Sequence, residues 1–215
     1  MTPRTTERLV IDGPAGALEI VINAPDIPAP RGLALVAHPH PLQGGTLDNK
    51  VVQTLARTFF GLGYVSTRFN FRGVGRSDGT FDDGAGETDD ARAALGYAQR
   101  RFGQPAGLPV VLAGFSFGTF VQTRLAGEIA VERLVLVAPA VQRFGTTHVA
   151  ADTIVIHGEE DDIVPLADVL AWARPQALPV TVFPGCGHFF HGRLPQLQSV
   201  IGGMWRARTQ PLPGA

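Results

Sequence analysis

Val110-Val111-Leu112-Ala113-Gly114-Phe115-Ser116-Phe117-Gly118 joins an apolar run to the start of a helical segment. The run at residues 109–113 reads as a strand, and residues 117–129 read as a helix. Between them stands G-x-S-x-G. This pattern belongs to a sharp strand-to-helix turn that thrusts its serine outward. Gly114 and Gly118 fit it because the two backbones come close there and leave no room for a β-carbon. Ser116 is therefore a candidate nucleophile, and Ser66, Ser77 and Ser199 lack the same context. The Phe117 amide opens the helix, so it can face a developing oxyanion with the positive helix end behind it.

The same alternation extends in both directions. Residues 7–12 and 17–22 flank Gly13-Pro14-Ala15-Gly16 and predict a hairpin. Leu33–Ala37 is a continuous apolar run, as in a strand covered on both faces. Val51, Val52, Leu55, Ala56, Phe59 and Phe60 form a stripe of helical period, with Asp48 or Asn49 as its cap and Gly61 or Gly63 at its end. Residues 64–69 form a strand, and Ala91, Leu95, Ala98 and Phe102 mark a helix. Beyond the serine turn come strands at Arg133–Val137, 153–157 and Val180–Phe183, with helices at Leu166–Ala173 and 193–206. Strands alternating with helices imply right-handed crossovers. The expected fold is α/β: one domain over residues 1–215, with a mainly parallel sheet of seven to eight strands and helices on both faces. The end, QPLPGA at 210–215, reads as a loose tail.

Serine needs a base, and an imidazole needs a carboxylate to hold its tautomer. Of six histidines, His188 follows Val180–Phe183 through Pro184-Gly185-Cys186-Gly187, a loop that two glycines free to return over the serine. His191 is its competitor. The strand at 153–157 leads into Gly158-Glu159-Glu160-Asp161-Asp162-Ile163-Val164-Pro165. Asp161 and Asp162 both suit the acid, and spacing does not separate them.

After Leu33–Ala37 comes His38-Pro39-His40-Pro41. In enzymes with a serine elbow, the second oxyanion donor lies in the loop after the corresponding strand. Pro39 and Pro41 carry no N–H. His38 still belongs to the strand end, which leaves the His40 amide beside that of Phe117. A metal reading would recruit His38, His40, Cys186 and His188, but the chain shows no second clear ligand pair, so neither metal nor cofactor is expected.

His38–Val52 (HPHPLQGGTLDNKVV), Arg68–Gly79 (RFNFRGVGRSDG), GFSFG, HGEEDDIVP and GCGHFF together resemble the α/β-hydrolase superfamily over nearly the whole chain. They are most similar to small bacterial serine hydrolases without a lid. In that superfamily the acid loop resembles G-x-x-D-x-x-x-P, which implies Asp161 as the acid, beside Ser116 and His188. The resemblance implies an esterase-like serine hydrolase acting on small acyl compounds. A peptidase or acyltransferase would use the same three residues. A dehalogenase would want a carboxylate in place of Ser116, and a binding protein on this scaffold would often have lost one of the three. Only about fifteen residues separate Val137 from Thr153, so a cap domain does not fit and the site should be open.

Composition agrees with this class. The 215 residues are 45% hydrophobic and 17% charged, with a formal net charge of −1. Disordered chains are poorer in apolar residues, and a near-neutral chain has no global field for nucleic acid or anionic membrane. Cys186 has no partner for a disulfide, and no apolar window reaches membrane-helix length. A cytoplasmic protein without nucleic-acid or membrane partners is expected, and the oligomeric state is left open. Arg68, Arg72 and Arg76 among glycines invite a phosphate-loop reading. No G-K-[ST] follows and G-x-G-x-x-G is not met, so they read as pairing with acids such as Asp78, Asp82 or Asp83.

Overall fold

The computed structural model of the protein describes residues 4–103, 107–142 and 148–209. The first two strands, β1 (Arg4–Gly13) and β2 (Gly16–Pro25), form the hairpin, closed by Gly13 opposite Gly16. Then follow β3 (Leu33–Ala37), α1 (Lys50–Gly61), β4 (Val65–Phe69), α2 (Ala85–Phe102), β5 (Val110–Phe115), α3 (Phe117–Ala126) and β6 (Arg133–Val137). The chain continues through β7 (Ile154–Gly158), α4 (Leu166–Ala173), β8 (Val180–Phe183) and α5 (Leu194–Thr209). The tail at 210–215 lies outside the described residues.

One eight-stranded sheet results, ordered β1-β2-β4-β3-β5-β6-β7-β8. β2 pairs antiparallel with β1 and β4, and all later pairings are parallel. The chain steps outward from β3 to β4, then returns to lay β5 on the other side of β3. Loops leaving β3 and β5 therefore diverge at a topological switch point, where open α/β sheets place their ligands. Ala37 pairs with Gly114 at that point, so both loops start level.

The apolar runs of the central strands are continuous because both faces are covered. Ala34 and Val36 pack with α1 and α5, while Leu33, Leu35 and Ala37 pack with α2 and α3. The α1 stripe buries Val51, Val52, Leu55 and Phe59, each contributing about 1.5–3 kcal/mol of transfer free energy. Asn49 is the cap: its Oδ1 accepts from the Val51 and Val52 amides at 2.9 and 3.4 Å. Asp48 instead binds Arg8 and Arg68. At the far edge, Trp205 of α5 donates to the Tyr64 hydroxyl, which donates to Glu132 at 2.8 Å. Burial, then the Glu132 carboxylate, pushes the Tyr64 phenol up to about 12.

Some boundaries differ from the sequence reading. α3 stops at Ala126 rather than residue 129, because Gly127 follows and its amide already bonds back to Thr123 and Arg124. α2 begins before its apolar stripe, since the Glu87 carboxylate accepts from the Asp82 and Gly84 amides and fixes the first turn early. The arginine loop also pairs differently. Arg72 binds Asp90 of α2 through Nε and Nη2 at 3.1 and 3.0 Å, with Asp82 only at 3.9 Å. Arg68 faces Asp48, and Asp78 accepts from the Ala17 amide. Asp90 is eighteen positions from Arg72, beyond the reach of local reading.

Residues 138–153 join β6 to β7, and among the described residues this connection contains no helix and no cap covers the sheet end. Among the described residues, no helix is long and apolar enough to cross a membrane.

Candidate active site

Ser116 occupies the turn between β5 and α3 with φ 53° and ψ −121°, a conformation that non-glycine residues rarely adopt. Its amide donates to the Val137 carbonyl at 3.0 Å, which pins the turn to β6. The flanking glycines are sterically required. A β-carbon on Gly114 would stand 2.4 Å from the Gly118 carbonyl oxygen, and one on Gly118 would stand 2.5 Å from that of Ala37.

His188 reaches this serine from the loop after β8. Its Nε2 lies 3.0 Å from Ser116 Oγ, and its Nδ1 lies 2.7 Å from Asp161 Oδ2. The carboxylate can only accept, so the proton is assigned to Nδ1, leaving Nε2 to accept from the serine hydroxyl. All three side chains are buried. Asp161 Oδ1 accepts from the Ile163 and Val164 amides at 3.0 and 2.8 Å. Burial pushes the Asp161 carboxyl up, but the bonds from His188 and Val164 outweigh it and hold the group below its ordinary range.

The alternatives lie elsewhere. Asp162 is exposed on the cleft wall, and His191 is exposed with its ring beside Phe189. Two glycines were expected to free the histidine loop. Gly185 does adopt φ 62°, but the tighter constraint is Gly158, the first residue of the acid-loop pattern. A β-carbon there would stand 2.3 Å from the Cys186 carbonyl oxygen, where the acid and histidine loops cross. The Glu160 amide bonds that same oxygen at 2.9 Å.

His40 begins a short 3-10 turn, Pro41–Gln43, and its ring packs against Phe81 and Phe117. Its neighbour His38 is wholly buried. His38 Nδ1–H donates to the Pro39 carbonyl at 2.7 Å, and Nε2 accepts from the Phe71 amide at 3.0 Å. Both ring nitrogens are thus engaged, and burial lowers the imidazole to about 3. The ring clamps the loop after β3 onto the loop after β4. Only its place at the end of an apolar strand hinted at this. Among the described residues, no group of three or more His, Cys, Asp or Glu side chains could hold a metal ion.

His40, Ser116 and Phe117 border a cleft of about 370 Å³, whose other walls include Gln43, Gln142 and Ile163. The cleft therefore offers two carboxamides and an aliphatic surface beside the serine. The N-terminus of α3 lies beneath it, and its dipole favours negative charge there.

A family model described as serine aminopeptidase, S33, matches residues 40–147. An α/β serine hydrolase homologue from Coxiella burnetii is 38% identical, with a TM-score of 0.84, covering 94% of this chain and 97% of that one. A protein from Xanthomonas campestris, described as an α/β serine hydrolase without a lid, is 34% identical. It superposes with a TM-score of 0.88 over 100% of this chain and 99% of its own. An uncharacterized protein of Rickettsia prowazekii is 30% identical over 90% of this chain and 86% of its own length.

Proposed function

Since the chain belongs to the α/β serine hydrolases, in the family described as serine aminopeptidase S33, we propose that it cleaves small acyl esters through an acyl-enzyme on Ser116. The observation that carries this reading is the continuous chain of contacts from Ser116 Oγ through His188 to Asp161, at 3.0 and 2.7 Å.

Ser116 Oγ attacks the acyl carbon while His188 Nε2 takes its proton. Asp161 keeps the proton on Nδ1 and stabilises the imidazolium. The amides of His40 and Phe117 receive the oxyanion, each lowering the barrier by about 3–4 kcal/mol. His188 then gives its proton to the leaving alcohol. Water, deprotonated by the same nitrogen, attacks the acyl-enzyme and returns the serine. Every transferred proton passes through His188 Nε2, so the reading calls for no cofactor. The strain at Ser116 supports it, because such backbone geometry concentrates at functional positions.

Turnover of p-nitrophenyl acetate and butyrate tests the proposal. Wild type is expected to hydrolyse both and to be labelled by a fluorophosphonate, and a folded Ser116→Ala variant to do neither. Unchanged turnover in that variant would overturn the assignment. The family description names an aminopeptidase, so aminoacyl amides belong in the same panel.

A further inference from the structure

His157 stands near the end of β7 and is wholly buried, yet the chemistry above does not use it. Its Nε2 lies 2.8 Å from the Val164 carbonyl oxygen and 3.5 Å from Asp161 Oδ2. Both neighbours are acceptors, so the proton is assigned to Nε2. The first contact is a hydrogen bond, and the second is an electrostatic approach. Nδ1 is then a bare lone pair, buried and without a hydrogen-bond partner among the described residues.

A buried polar atom left unpaired costs free energy, and such an atom calls for an explanation. An apolar side chain at this position would avoid the cost. What the imidazole supplies is one N–H aimed at the acid loop. Val164, whose carbonyl receives it, also donates its own N–H, in the preceding peptide group, to Asp161 Oδ1. Asp161 Oδ2, the other oxygen near the ring, is the one that receives His188. His157 thus touches the carboxylate's support on one side and its working oxygen on the other. Burial keeps the ring neutral: desolvation lowers its pKa against the opposing pull of the Val164 carbonyl and Asp161, so the ring acts as a dipole.

We propose that His157 is a positioning residue for the Asp161–His188 pair. Its N–H fixes the Val164 carbonyl, and so holds the residue whose amide supports Asp161 Oδ1, and it divides the negative charge of Asp161 Oδ2 between two imidazoles. The proposal rests on the reading of Ser116, His188 and Asp161 as the catalytic set. The titratable groups that bear on the ring are Asp161 and His188, and Asp161 in turn bears on the Cys186 thiol. Without the N–H, Asp161 is less firmly oriented and its undivided charge favours a cationic imidazole at position 188. The rate then falls, and the acidic limb of the pH–rate profile moves to higher pH.

The test compares wild type with His157→Gln, whose amide N–H can replace the donor, and with His157→Leu and His157→Phe, which cannot replace it. Both apolar variants are expected to lose roughly tenfold to hundredfold in kcat, with KM for p-nitrophenyl butyrate within about twofold. Their acidic limb shifts to higher pH, and the Gln variant recovers both properties. A second readout needs no turnover. The low-field proton resonance of the His188–Asp161 bond, titrated by NMR, should move in the apolar variants and return in the Gln variant. Thermal melts establish which variants are folded. A folded apolar variant with wild-type kcat, profile and resonance overturns the proposal. So does equal loss in all three variants with an unmoved profile and resonance. If wild type neither hydrolyses esters nor reacts with a fluorophosphonate, the catalytic reading fails, and the NMR titration still decides the role of His157.

Discussion

Asp161 and His188 meet at 2.7 Å although they leave different strands, and neither is open to solvent. The carboxylate next in sequence, Asp162, is exposed and takes no part in that contact. Adjacent acids with such different surroundings should behave differently. Asp161→Asn removes the charge that holds the imidazole tautomer, and kcat is expected to fall by about 10⁴-fold. Asp162→Asn changes an exposed group and should leave kcat within about twofold. Steady-state kinetics on p-nitrophenyl butyrate check both.

His38 links pH to stability. Its ring is neutral in the folded protein, with its pKa lowered to about 3, whereas the unfolded chain restores it to the ordinary 6.5. The unfolded state therefore binds this proton first. The contribution is fully present above pH 6.5 and is lost as pH falls toward 3, by about 1.4 kcal/mol per pH unit for one proton. Urea unfolding between pH 7 and pH 4.5 should show a shallower loss in His38→Gln than in wild type. Equal slopes would contradict the assignment.

Gly158 tests the crossing of the acid and histidine loops. A methyl group there meets the Cys186 carbonyl, so Gly158→Ala must push the two loops apart. A displacement on the order of 1 Å between Asp161 and His188 costs up to about 10²-fold in rate. The variant should lose that much kcat. Gly185→Ala, in open space but at φ 62°, should cost mainly stability. Kinetics and thermal melts on the two variants separate the effects.

The parts of the fold written in continuous local patterns could be read from the chain alone. Leu33–Ala37, Arg133–Val137, Leu166–Ala173 and Val180–Phe183 coincide with their expected bounds, because short apolar runs between turn residues have little freedom. The G-x-S-x-G turn was equally legible, since its two glycines report a clash that the structure shows directly. Asp161 could not be separated from Asp162 by spacing, because the difference is which one turns inward. Arg72 pairs with Asp90 rather than a nearer acid because the fold of α2 brings that carboxylate back. Gly158 opens the acid-loop pattern and His157 stands just before it, but neither shows locally what it contacts. Their importance arises where loops from separate strands meet.

The close contact between Gly118 and the Ala37 carbonyl has a mechanical consequence. It welds the serine turn to the end of β3, and His38 ties the next residues to the loop after β4. The Ser116 turn and the loop after β3 therefore share one rigid frame without a hinge between them. Any gating motion in this hydrolase belongs to the opposite half, where the acid and histidine loops are joined by a few hydrogen bonds around the Cys186 carbonyl and the Asp161–His188 contact.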